Sequence, residues 1–448
     1  MPMRRRDLLI GTAAALAGCP VPAPEPVAAE PSPARQPSPE APEPEVPLDL
    51  ELFPWGVVVG EVTAGSALVR ARVVGQDRCA LVVMRWEGAW VEIGRPELSR
   101  RGFTCPHVLS GLRADTPYAV YAVRGSRRSR VTRFRTAPAA QPSRRIRFGA
   151  SSCFGGANPD MENVHYVVEH DLDFFLLAGD TVYADGSHTR EEYEASWSVQ
   201  LERPVMSDLF ASTSTLAIWD DHEVANDWTR EEGANDYVSP EQLRTAIQVM
   251  EEIVPQRRGP VGFYRTHRWG DDLEVFLLDC RSERAPGQMV SEEQLAWLET
   301  KLPASTARFK IVVSSLHVTD HYPILANIRV NERWQGYPDQ RARLVSLLAS
   351  VPGSFVITGD MHFGSVQHLD PEGPGATVVE VAAGPSGSTL LPIEQMVELR
   401  VEGLPSHYAL VLESWSWCLF ELDPGTGGVS VQFIGDTGEV LAAHAFAP

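Results

Sequence analysis

The clearest pattern in the chain is a set of short apolar runs that end in polar side chains. Residues 174–178 read Phe-Phe-Leu-Leu-Ala, a run of strand length without polar alternation, which predicts a strand buried on both faces. The run leads directly into Gly179 and Asp180, and then into Tyr183 and Asp185. In open α/β sheets the ligand site lies just outside the carboxyl ends of the strands, so we expect these side chains at that edge.

Other apolar runs end in the same way. Three predicted strands stop at thiol, carboxylate or imidazole groups: 147–150 before Cys153, 215–219 before Asp220, Asp221 and His222, and 355–358 before Asp360 and His362. A further predicted strand, 310–315, leads to His317. Each motif alone is compatible with an ordinary turn. Together they predict a metal site, because so many carboxylates at one edge would repel each other unless cations lay between them.

From residue 145 onwards the predicted strands alternate with amphipathic segments. These segments predict helices over 158–169, 191–200, 240–253, 291–302 and 340–349. Ser291 precedes two glutamates and predicts the N-cap of its helix. The alternation predicts one large α/β domain over residues 145–448.

Residues 50–138 have a different pattern, with short alternating strands separated by turn residues, which predicts a β-sandwich. The sequence from Gly111 to Tyr121 resembles the tyrosine-corner region of fibronectin type III domains, so we expect its tyrosines to be structural. Cys79 and Cys105 also lie here and could pair in an oxidising compartment.

The N-terminal residues read as an export signal. Residues 1–19 combine three consecutive arginines with an Ala-rich apolar run, a twin-arginine-like signal peptide, and end at Cys19 in a sequence that resembles a bacterial lipobox. A short uncleaved membrane anchor is the alternative. Residues 20–47 contain eleven prolines and predict a semi-rigid linker that holds the folded part away from a membrane. We therefore expect an exported lipoprotein, periplasmic or on the cell surface, anchored through lipid on Cys19.

The net charge of the chain limits the classes of molecule that it is expected to bind. Its formal net charge is −20, which argues against nucleic acid as a partner and fits an extracytoplasmic setting.

Taken in order, the motifs resemble those of the PhoD-like alkaline phosphatases, within the calcineurin-like metallophosphoesterase superfamily. They are Ser-Cys at 152–153, Gly-Asp-x-x-Tyr at 179–183, Trp-Asp-Asp-His-Glu-x-x-Asn at 219–226, Leu-Asp-x-Arg-x-x-Arg at 278–284, Gly-Asp-x-His at 359–362 and Glu-Val-Ala-Ala-Gly-Pro-Ser at 380–386. The resemblance implies an α/β fold: a four-layer metallophosphoesterase sandwich preceded by a small fibronectin-III-like β-sandwich. It also implies a cluster of iron and calcium that hydrolyses phosphate esters.

The resemblance also implies a ligand set. An iron ion would be held by four side chains, namely Cys153, Asp180, Tyr183 and His362. Asp180 would bridge to a second metal, for which Asp221 and Asp360 are the matching ligands. Other metallophosphoesterases have a ligand at the position of His317, but PhoD-like enzymes often do not, so its role stays open.

Three further residues are candidates for catalysis. His222 corresponds to the histidine that meets the phosphate or the leaving oxygen in related phosphoesterases. Asn226 matches the last residue of its motif, although Asp227 departs from the commoner Asn-Asn ending. Arg281 and Arg284 follow a predicted strand and can bind an oxyanion, but a structural ion pair with nearby acids is an equal alternative.

The predicted function is metal-dependent hydrolysis of phosphate esters by a metal-activated water, in a protein expected to be a monomer. A phosphodiesterase or phospholipase D-like enzyme with the same cluster is one alternative. The other is a lipid-anchored binding or adhesion protein in which the sandwich carries the function.

Overall fold

The computed structural model describes residues 31–34, 36–140, 143–259, 262–321, 325, 330–394 and 408–448. The predicted signal peptide, residues 1–19, and residues 20–30 of the predicted linker lie outside the described residues. No helix in the described ranges has both the length and the apolar character needed to cross a membrane.

The described residues form 22 β-strands and six α-helices. In chain order these are β1 (Val57–Gly60), β2 (Ser66–Ala71), β3 (Arg78–Trp86), β4 (Trp90–Gly94), β5 (Glu97–Ser99), β6 (Cys105–Ser110), β7 (Pro117–Arg124), β8 (Arg127–Arg128), β9 (Thr132–Arg135), β10 (Ile146–Ser151), α1 (Glu162–His165), β11 (Phe174–Ala178), α2 (Arg190–Leu201), α3 (Pro204–Ser212), β12 (Thr215–Ile218), α4 (Pro240–Ile253), β13 (Arg265–Trp269), β14 (Leu273–Leu277), α5 (Glu292–Ala304), β15 (Phe309–Val313), α6 (Pro338–Ser350), β16 (Ser354–Thr358), β17 (Gly364–His368), β18 (Val379–Ala382), β19 (Tyr408–Leu412), β20 (Trp417–Asp423), β21 (Gly428–Ile434) and β22 (Val440–Phe446).

Two sheets lie at the centre of the described chain. One has nine strands in the order β22-β21-β20-β10-β11-β12-β1-β2-β6, and the other has seven in the order β13-β14-β15-β16-β18-β17-β19. In the first sheet β10, β11 and β12 are parallel, and in the second β14, β15, β16 and β18 are parallel. Parallel neighbours end at the same edge, so each sheet delivers several strand ends to one side.

The two sheets pack face to face between layers of helices. Phe148 and Phe420 of the first sheet share a buried core with Ile311 and Phe355 of the second, and the rings of Phe355 and Phe420 are 6.4 Å apart. Helices α1 to α4 cover the outer face of the first sheet, and α5 and α6 cover that of the second. This is the four-layer α/β sandwich that the motifs imply.

The N-terminal strands form a third sheet, with the order β4-β3-β7-β8 and with β5 and β9 attached to β3 and β7. Leu81 and Val120 of this sheet lie in the same buried core as Val69 of β2. Strands β1, β2 and β6 also extend the nine-stranded sheet, because β1 pairs in parallel with β12 at Gly60 and Thr215. The strands predicted to form a separate sandwich are therefore continuous with the sheet that carries the strand-end motifs.

Tyr118 has the structural role that the sequence predicts. Its hydroxyl accepts a hydrogen bond from the main-chain N–H of Arg113 at 2.7 Å, the pattern of a tyrosine corner. Its ring is buried and stacks on Phe134 with centroids 5.4 Å apart. Cys79 and Cys105 are both buried, and both are free thiols in this structure. A disulfide between them in an oxidising compartment stays a prediction.

The predicted helices are found close to their predicted limits, with two differences. The segment 158–169 contains only the short helix α1 and a 3₁₀ turn over Tyr166–Glu169. Helix α3 (Pro204–Ser212) was not predicted, although it begins with the proline that favours a first helical turn. The predicted cap is present, since the Ser291 side chain accepts a hydrogen bond from the main chain of Gln294.

The Pro-rich segment lies against the folded body from Ser32 onwards. Its residues 32–34 and 36–47 are called the strap below. The N–H of Ser32 donates to Asp423 at 2.8 Å, the N–H of Ser38 donates to Asp171 at 2.8 Å, and the carbonyl of Pro47 accepts from the N–H of Arg128 at 3.0 Å. The strap is therefore docked along the protein.

Candidate metal centre

The strand-end motifs meet at one edge of the two central sheets. Ser151 at the end of β10 is level with Leu177 of β11, and Ala178 of β11 is level with Ile218 of β12. Strands β15 and β16 run parallel across the core, and the N–H of Gly359 after β16 donates to the carbonyl of Ser315 after β15. The loops that follow all of these strands are consequently side by side.

The converging side chains form three overlapping groups of possible metal ligands, in each of which the ligand atoms lie within 4.8 Å of one another. The groups are Cys153, Asp180 and His362; Asp180, Asp221 and His222; and Asp180, Asp220, Asp221 and Asp360. Asp180 belongs to all three groups. The structure thus brings together five of the six side chains predicted as ligands and adds Asp220, which was not among them.

The sixth predicted ligand, Tyr183, lies beside this cluster. Its hydroxyl is hydrogen-bonded to Ser388 and its ring stacks on His222 with centroids 3.8 Å apart. Burial raises the pKa of Tyr183, and the nearby Asp180 and Cys153 raise it further. The phenol therefore lies within electrostatic reach of the cluster.

The cluster has an unusual backbone. Eight non-glycine residues of the described chain have positive φ, and half of them are candidate ligands: Cys153 (55°), Asp180 (54°), Asp360 (63°) and His362 (59°). A left-handed conformation of a non-glycine residue costs on the order of 1–3 kcal/mol and is retained where the surrounding structure enforces it, often at functional sites. The side chains are thus held in place at a cost in backbone energy.

Two glycines allow the strand ends to approach each other. A Cβ atom on Gly179 would lie 2.8 Å from the Cβ of Asp220, and the φ of Gly179 is +104°. A Cβ atom on Gly359 would lie 2.6 Å from the carbonyl oxygen of Ala178 and 2.7 Å from the Cβ of Ser152. Gly359 therefore permits the close contact between the two sheets that brings Asp360 to Asp180.

The loop 384–388, at the end of the last predicted motif, holds Cys153 in position. The main-chain N–H groups of Gly387 and Ser388 donate to the carbonyl of Cys153 at 3.0 and 3.1 Å, and the Ser388 hydroxyl donates to the same carbonyl at 3.1 Å. Burial raises the pKa of the Cys153 thiol, and the carboxylates of Asp180 and Asp360 add to the effect.

The cluster contains more buried carboxyl groups than buried cations can balance. Arg281 is fully buried and bonds Asp220 at 2.6 and 2.8 Å, lies 3.3 Å from Asp221 and also contacts Glu332. Burial would raise the pKa of Asp221, but Arg281 and His222 lower it overall. Burial raises the pKa of Asp180 well above its usual value, and the neighbouring Asp221 and Asp220 raise it further.

Asp360 is a second buried carboxyl group with a raised pKa. Burial raises its pKa well above the usual value, and repulsion from Asp220 and Asp221 raises it further. Its Oδ2 atom is buried and has no hydrogen-bond partner among the described residues. A buried carboxylate oxygen without a donor is costly, and a cation is the group that would satisfy it. The residues present therefore fit a metal centre.

His222 is oriented by a carboxylate that the ligand prediction did not include. Its Nδ1 atom donates to Asp185 at 2.8 Å, and Asp185 raises the pKa of His222 against the lowering effect of burial. The other oxygen of Asp185 accepts from the main-chain N–H of Asn226 at 2.6 Å. Because Nδ1 is engaged, Nε2 is the ring nitrogen left to act on a ligand.

Asn226 and Arg281, the other two residues predicted to be catalytic, both contact carboxylates of the site. The side chain of Asn226 is exposed and donates to Asp227 at 3.0 Å, and its main-chain N–H supports Asp185. All three guanidinium nitrogens of Arg281 contact carboxylates, and Arg284 contacts Glu332. The arrangement favours the structural ion pair over oxyanion binding by Arg281.

His317 lies in a buried polar network behind the candidate ligands. Its Nδ1 is 2.9 Å from Nε2 of His321, whose Nδ1 is hydrogen-bonded to Tyr408. Burial lowers the pKa of His317 to about 4, and its Nε2 has no partner among the described residues. Glu380 fixes the loop after His317 by accepting the N–H groups of Val318 and Thr319 at 2.8 and 2.9 Å.

Comparison with known proteins identifies the family. Residues 148–406, more than half of the chain, match the family model described as PhoD-like phosphatase. The chain belongs to the PhoD-like phosphatase family. The alkaline phosphatase D of Bacillus subtilis (strain 168) is 23% identical to it over 395 residues, which cover 71% of this chain and 66% of that protein. The aligned region thus spans just under two thirds of that relative.

Solved structures show that the PhoD-like chain has the fold implied by its motifs. A structure of PhoD superimposes with a TM-score of 0.75 at 17% identity and covers 91% of this chain and 90% of that one. The purple acid phosphatase PPD1 from yellow lupin seeds superimposes with a TM-score of 0.61 at 15% identity, covering 88% and 74%. At these identities the likeness concerns the fold alone.

A cavity of about 430 Å³ adjoins the metal centre of this PhoD-like protein. Its walls include Asp227, Trp228, Arg284, Glu332 and Tyr337, and Asp227 donates its main-chain N–H to Asp221. A larger cleft of about 770 Å³ is built around arginines paired with carboxylates, such as Arg265 with Glu61. Neither lining includes a candidate ligand, but the smaller cavity is lined by Asp227 and Arg281, which both contact Asp221, so it is the nearer of the two to the metal centre.

Sequence reasoning missed several residues that build the site. Glu223 binds the main-chain N–H groups of Asp180, Thr181 and Asp220 at 3.3, 2.7 and 2.9 Å, and it thereby joins two ligand loops. Asp185 orients His222. Glu223 lies inside the motif at 219–226, and Asp185 was expected at this edge without a role, but only the fold shows which atoms they contact.

Proposed function

We propose that this PhoD-like protein hydrolyses phosphate esters with metal ions held by its strand-end cluster. The observation that carries the proposal is the position of Asp180 in all three overlapping groups of candidate ligands. A carboxylate shared in this way can bridge two cations. Such a pair of cations neutralises charge on the transferring phosphoryl group and activates the attacking water.

We infer that the two sides of the cluster hold different metals. Cys153 and Tyr183 offer a thiolate and a phenolate, and thiolate ligands suit transition metals better than calcium; the family resemblance points to iron. The oxygen ligands of Asp220, Asp221 and Asp360 suit a hard cation, and the resemblance points to calcium. His362 completes the sulfur-containing side.

His222 is the proposed proton donor to the leaving oxygen. Asp185 holds its Nδ1, which leaves Nε2 to donate a proton or a hydrogen bond as the leaving oxygen gains charge. Asp185 stabilises the protonated imidazole. Asn226 supports the pair through its main-chain bond to Asp185.

A phosphodiesterase with the same cluster is the second candidate function. The adjoining cavity of about 430 Å³ has room for a bulky alcohol or for the second arm of a diester. Trp228 and Tyr337 give this cavity aromatic walls, and Arg284 adds a cation that Glu332 partly neutralises. Comparing turnover of a phosphate monoester with that of the matching diester separates the two functions. A phospholipase D-like activity belongs to the diester case.

We also propose that the protein is exported as a monomer and held at a membrane by lipid on Cys19. The support is the lipobox-like sequence that ends at Cys19 and the strongly acidic chain that follows it. Mass spectrometry of the mature N-terminus tests the lipid. A mature chain that retains residues 1–18 would contradict this part of the proposal.

Metal removal and replacement test the enzymatic proposal. Exhaustive chelation should abolish hydrolysis of a phosphate monoester, and iron and calcium added together should restore more activity than either metal alone. Hydrolysis that survives complete metal removal would contradict the proposal. A protein that binds metal but turns over neither monoester nor diester would favour the binding or adhesion alternative.

A further inference from the structure

We propose that the cavity beside the metal centre selects phosphate esters whose alcohol carries a positive charge, as an amino alcohol does. Esters of neutral alcohols bind less well, and esters of hydroxy acids are disfavoured most. This selection presupposes the proposed hydrolase function, for which it names a class of substrate. The cavity, with a volume of about 430 Å³, has room for such an alcohol.

The cavity meets the metal centre at two of its lining residues. Asp227 and Arg281 both contact Asp221, Asp227 through its main-chain N–H and Arg281 with a guanidinium nitrogen at 3.3 Å. A phosphoryl group bound at the candidate ligands would therefore have the cavity next to it. The alcohol is the part of the ester that extends away from the ligands, so the charges of the cavity walls act mainly on the alcohol.

The guanidinium groups of the inner wall are already bonded to carboxylates. Arg281 and Arg284 both donate to Glu332, and Arg281 also donates to Asp220 at 2.6 and 2.8 Å. A further nitrogen of Arg284 donates to the carbonyl of Trp228 at 3.0 Å. A guanidinium that is buried and paired in this way adds little attraction for another anion. The inner wall therefore does not favour an alcohol that carries a carboxylate.

The outer wall is a loop over residues 229–238 that is closed on itself. The N–H of Thr229 donates to the carbonyl of Asp236 at 2.9 Å, and the N–H of Val238 donates to the carbonyl of Thr229 at 2.9 Å. The N–H of Glu231 donates to the Thr229 hydroxyl at 3.2 Å. Glu231 and Asp236 both line the cavity, both are exposed, and neither side chain forms an ion pair within the part of the chain that the structure describes.

Asp227 adds a third carboxylate, between the outer wall and the metal centre. Its φ is +51°, a left-handed conformation that the surrounding contacts must enforce. The side-chain amide of Asn226 donates to its Oδ2 atom at 3.0 Å. This negative charge is therefore fixed at the point where the alcohol of a bound ester would enter the cavity.

Arg230 shows that this wall accepts a cation. Its guanidinium lies over the ring of Trp228, 5.9 Å from the ring centroid, and it has no carboxylate partner among the described residues. The face of an aromatic ring attracts cations. Apart from the inner guanidinium groups and Glu332, the lining holds three carboxylates and this one guanidinium. The excess of negative charge attracts an ammonium group and repels a carboxylate.

Binding of unreactive phosphonates tests the selection without relying on turnover. The probes are 3-aminopropylphosphonate, butylphosphonate and 3-phosphonopropionate, which have similar sizes and carry a cationic, a neutral and an anionic end. Titration calorimetry of the metal-loaded full chain should give dissociation constants that rise in this order, by about threefold at each step. High salt should reduce the differences. Equal constants, or tightest binding of the anionic probe, would overturn the proposal.

Substitutions in the cavity wall should change the preference in opposite directions. Asp227→Asn, or Glu231→Gln combined with Asp236→Asn, should lower the ratio of cationic to anionic affinity by about threefold, whereas Arg230→Gln should raise it. Glu232→Gln is the matched control, because Glu232 is exposed beside Glu231 but does not line the cavity. A ratio that Glu232→Gln lowers as much as Glu231→Gln does would assign the preference to the net charge of the protein, and the proposal would fail.

Hydrolysis of the matching esters separates the two ways of failing. These are the phosphate monoesters of ethanolamine, propanol and glycolic acid. If none of them is hydrolysed while the phosphonates bind in the expected order, the proposed function is refuted and the charge preference of the cavity stands. If all are hydrolysed while the phosphonates bind equally well, the function stands and the proposed substrate class is refuted.

Discussion

The two edges of the central sheets bury the same kinds of charged side chain in opposite ways. At the amino edge, Asp173 accepts hydrogen bonds from Arg144 at 2.9 and 3.0 Å and from the main chain of Arg147 at 3.0 Å. At the carboxyl edge, burial and neighbouring carboxylates raise the pKa of Asp180 and Asp360, and Asp360 retains an oxygen without a partner in the described chain. The first arrangement is satisfied by protein alone, and the second needs cations.

The difference teaches how to distinguish structural from functional buried charge. Replacing a buried acid whose oxygens are all paired, such as Asp173, should lower the stability of the fold and leave activity unchanged. A buried acid that faces other acids in a strained backbone, as in Asp180, predicts a ligand. Substitutions at the two edges should therefore have opposite effects.

The largest expected effect is that of Asp180→Asn. Loss of the shared ligand should release metal from both sides of the cluster and lower phosphomonoester turnover by more than about 10⁴-fold, because charge neutralisation and water activation are lost together. Metal content and steady-state turnover measure this. In the chelated chain the same substitution should raise the melting temperature, since it removes one repelling carboxylate. Full metal content with normal turnover would refute a bridging role.

Asp173→Asn is the matched control at the amino edge. Removing one partner of this buried ion pair should cost about 3–5 kcal/mol of folding free energy. Turnover per folded molecule should be unchanged. If Asp173→Asn lowered turnover as strongly as Asp180→Asn does, the claim that the amino edge is structural and the carboxyl edge functional would be contradicted.

His222→Ala should come next, with bound metal and thermal stability retained. We expect a loss of about 10²- to 10³-fold for esters with poor leaving groups and a smaller loss for a nitrophenyl ester, whose leaving group needs little protonation. Asp185→Asn should show the same dependence on the leaving group with a smaller loss. Equal losses for good and poor leaving groups, or an unfolded variant, would assign His222 to the scaffold.

Cys153→Ser tests the sulfur-containing side of the cluster alone. The variant should lose iron and the visible colour that comes from thiolate and phenolate ligands, while the fold is retained. Elemental analysis and the absorption spectrum measure both. An unchanged iron content would mean that Cys153 is only a buried core residue.

Chelation should make stability depend on pH. The raised pKa values of Asp180 and Asp360 mean that the folded metal-free chain holds protons that the unfolded chain releases near pH 4. Stability of the metal-free chain is therefore fullest below about pH 4 with respect to these groups and falls as the pH rises toward their folded pKa values. Thermal denaturation of chelated protein at several pH values measures this. If the stability of the chelated protein instead increased with pH over the range in which Asp180 and Asp360 titrate, the prediction would be contradicted.

The smallest expected effect is that of Tyr118→Phe in the N-terminal sheet. It removes one hydrogen bond to the main chain of Arg113 and should cost about 1 kcal/mol of stability. Turnover and metal content should not change. A loss of activity would mean that this sheet contributes to the site beyond its packing.

The strand ends could be predicted from the sequence because each is a local signal. The apolar run before Asp180 and the Asp-Asp-His-Glu motif after β12 specify both the strand and the residues that leave it. Pairings between distant segments have no such signal. Nothing near Gly60 predicts its parallel partner Thr215, and nothing in the composition of the strap predicts its hydrogen bonds to Asp423 or Arg128.

Side-chain partners were the least predictable feature. The segment around Arg281 allows both oxyanion binding and an ion pair, and only the fold, which buries its guanidinium among Asp220, Asp221 and Glu332, favours the ion pair. The Nδ1 partner of His222 lies 37 residues away in sequence. Helix α3 is a different case, because its initial Pro204 was a usable signal.

The most direct test of the central claim is a titration of metal-free protein with iron and calcium in which metal content and phosphomonoester turnover are measured on the same samples. Two or more metal ions per chain should be required, and turnover should appear only when both sides of the Asp180 cluster are filled. Full turnover with no bound metal, or with a single ion per chain, would contradict the account.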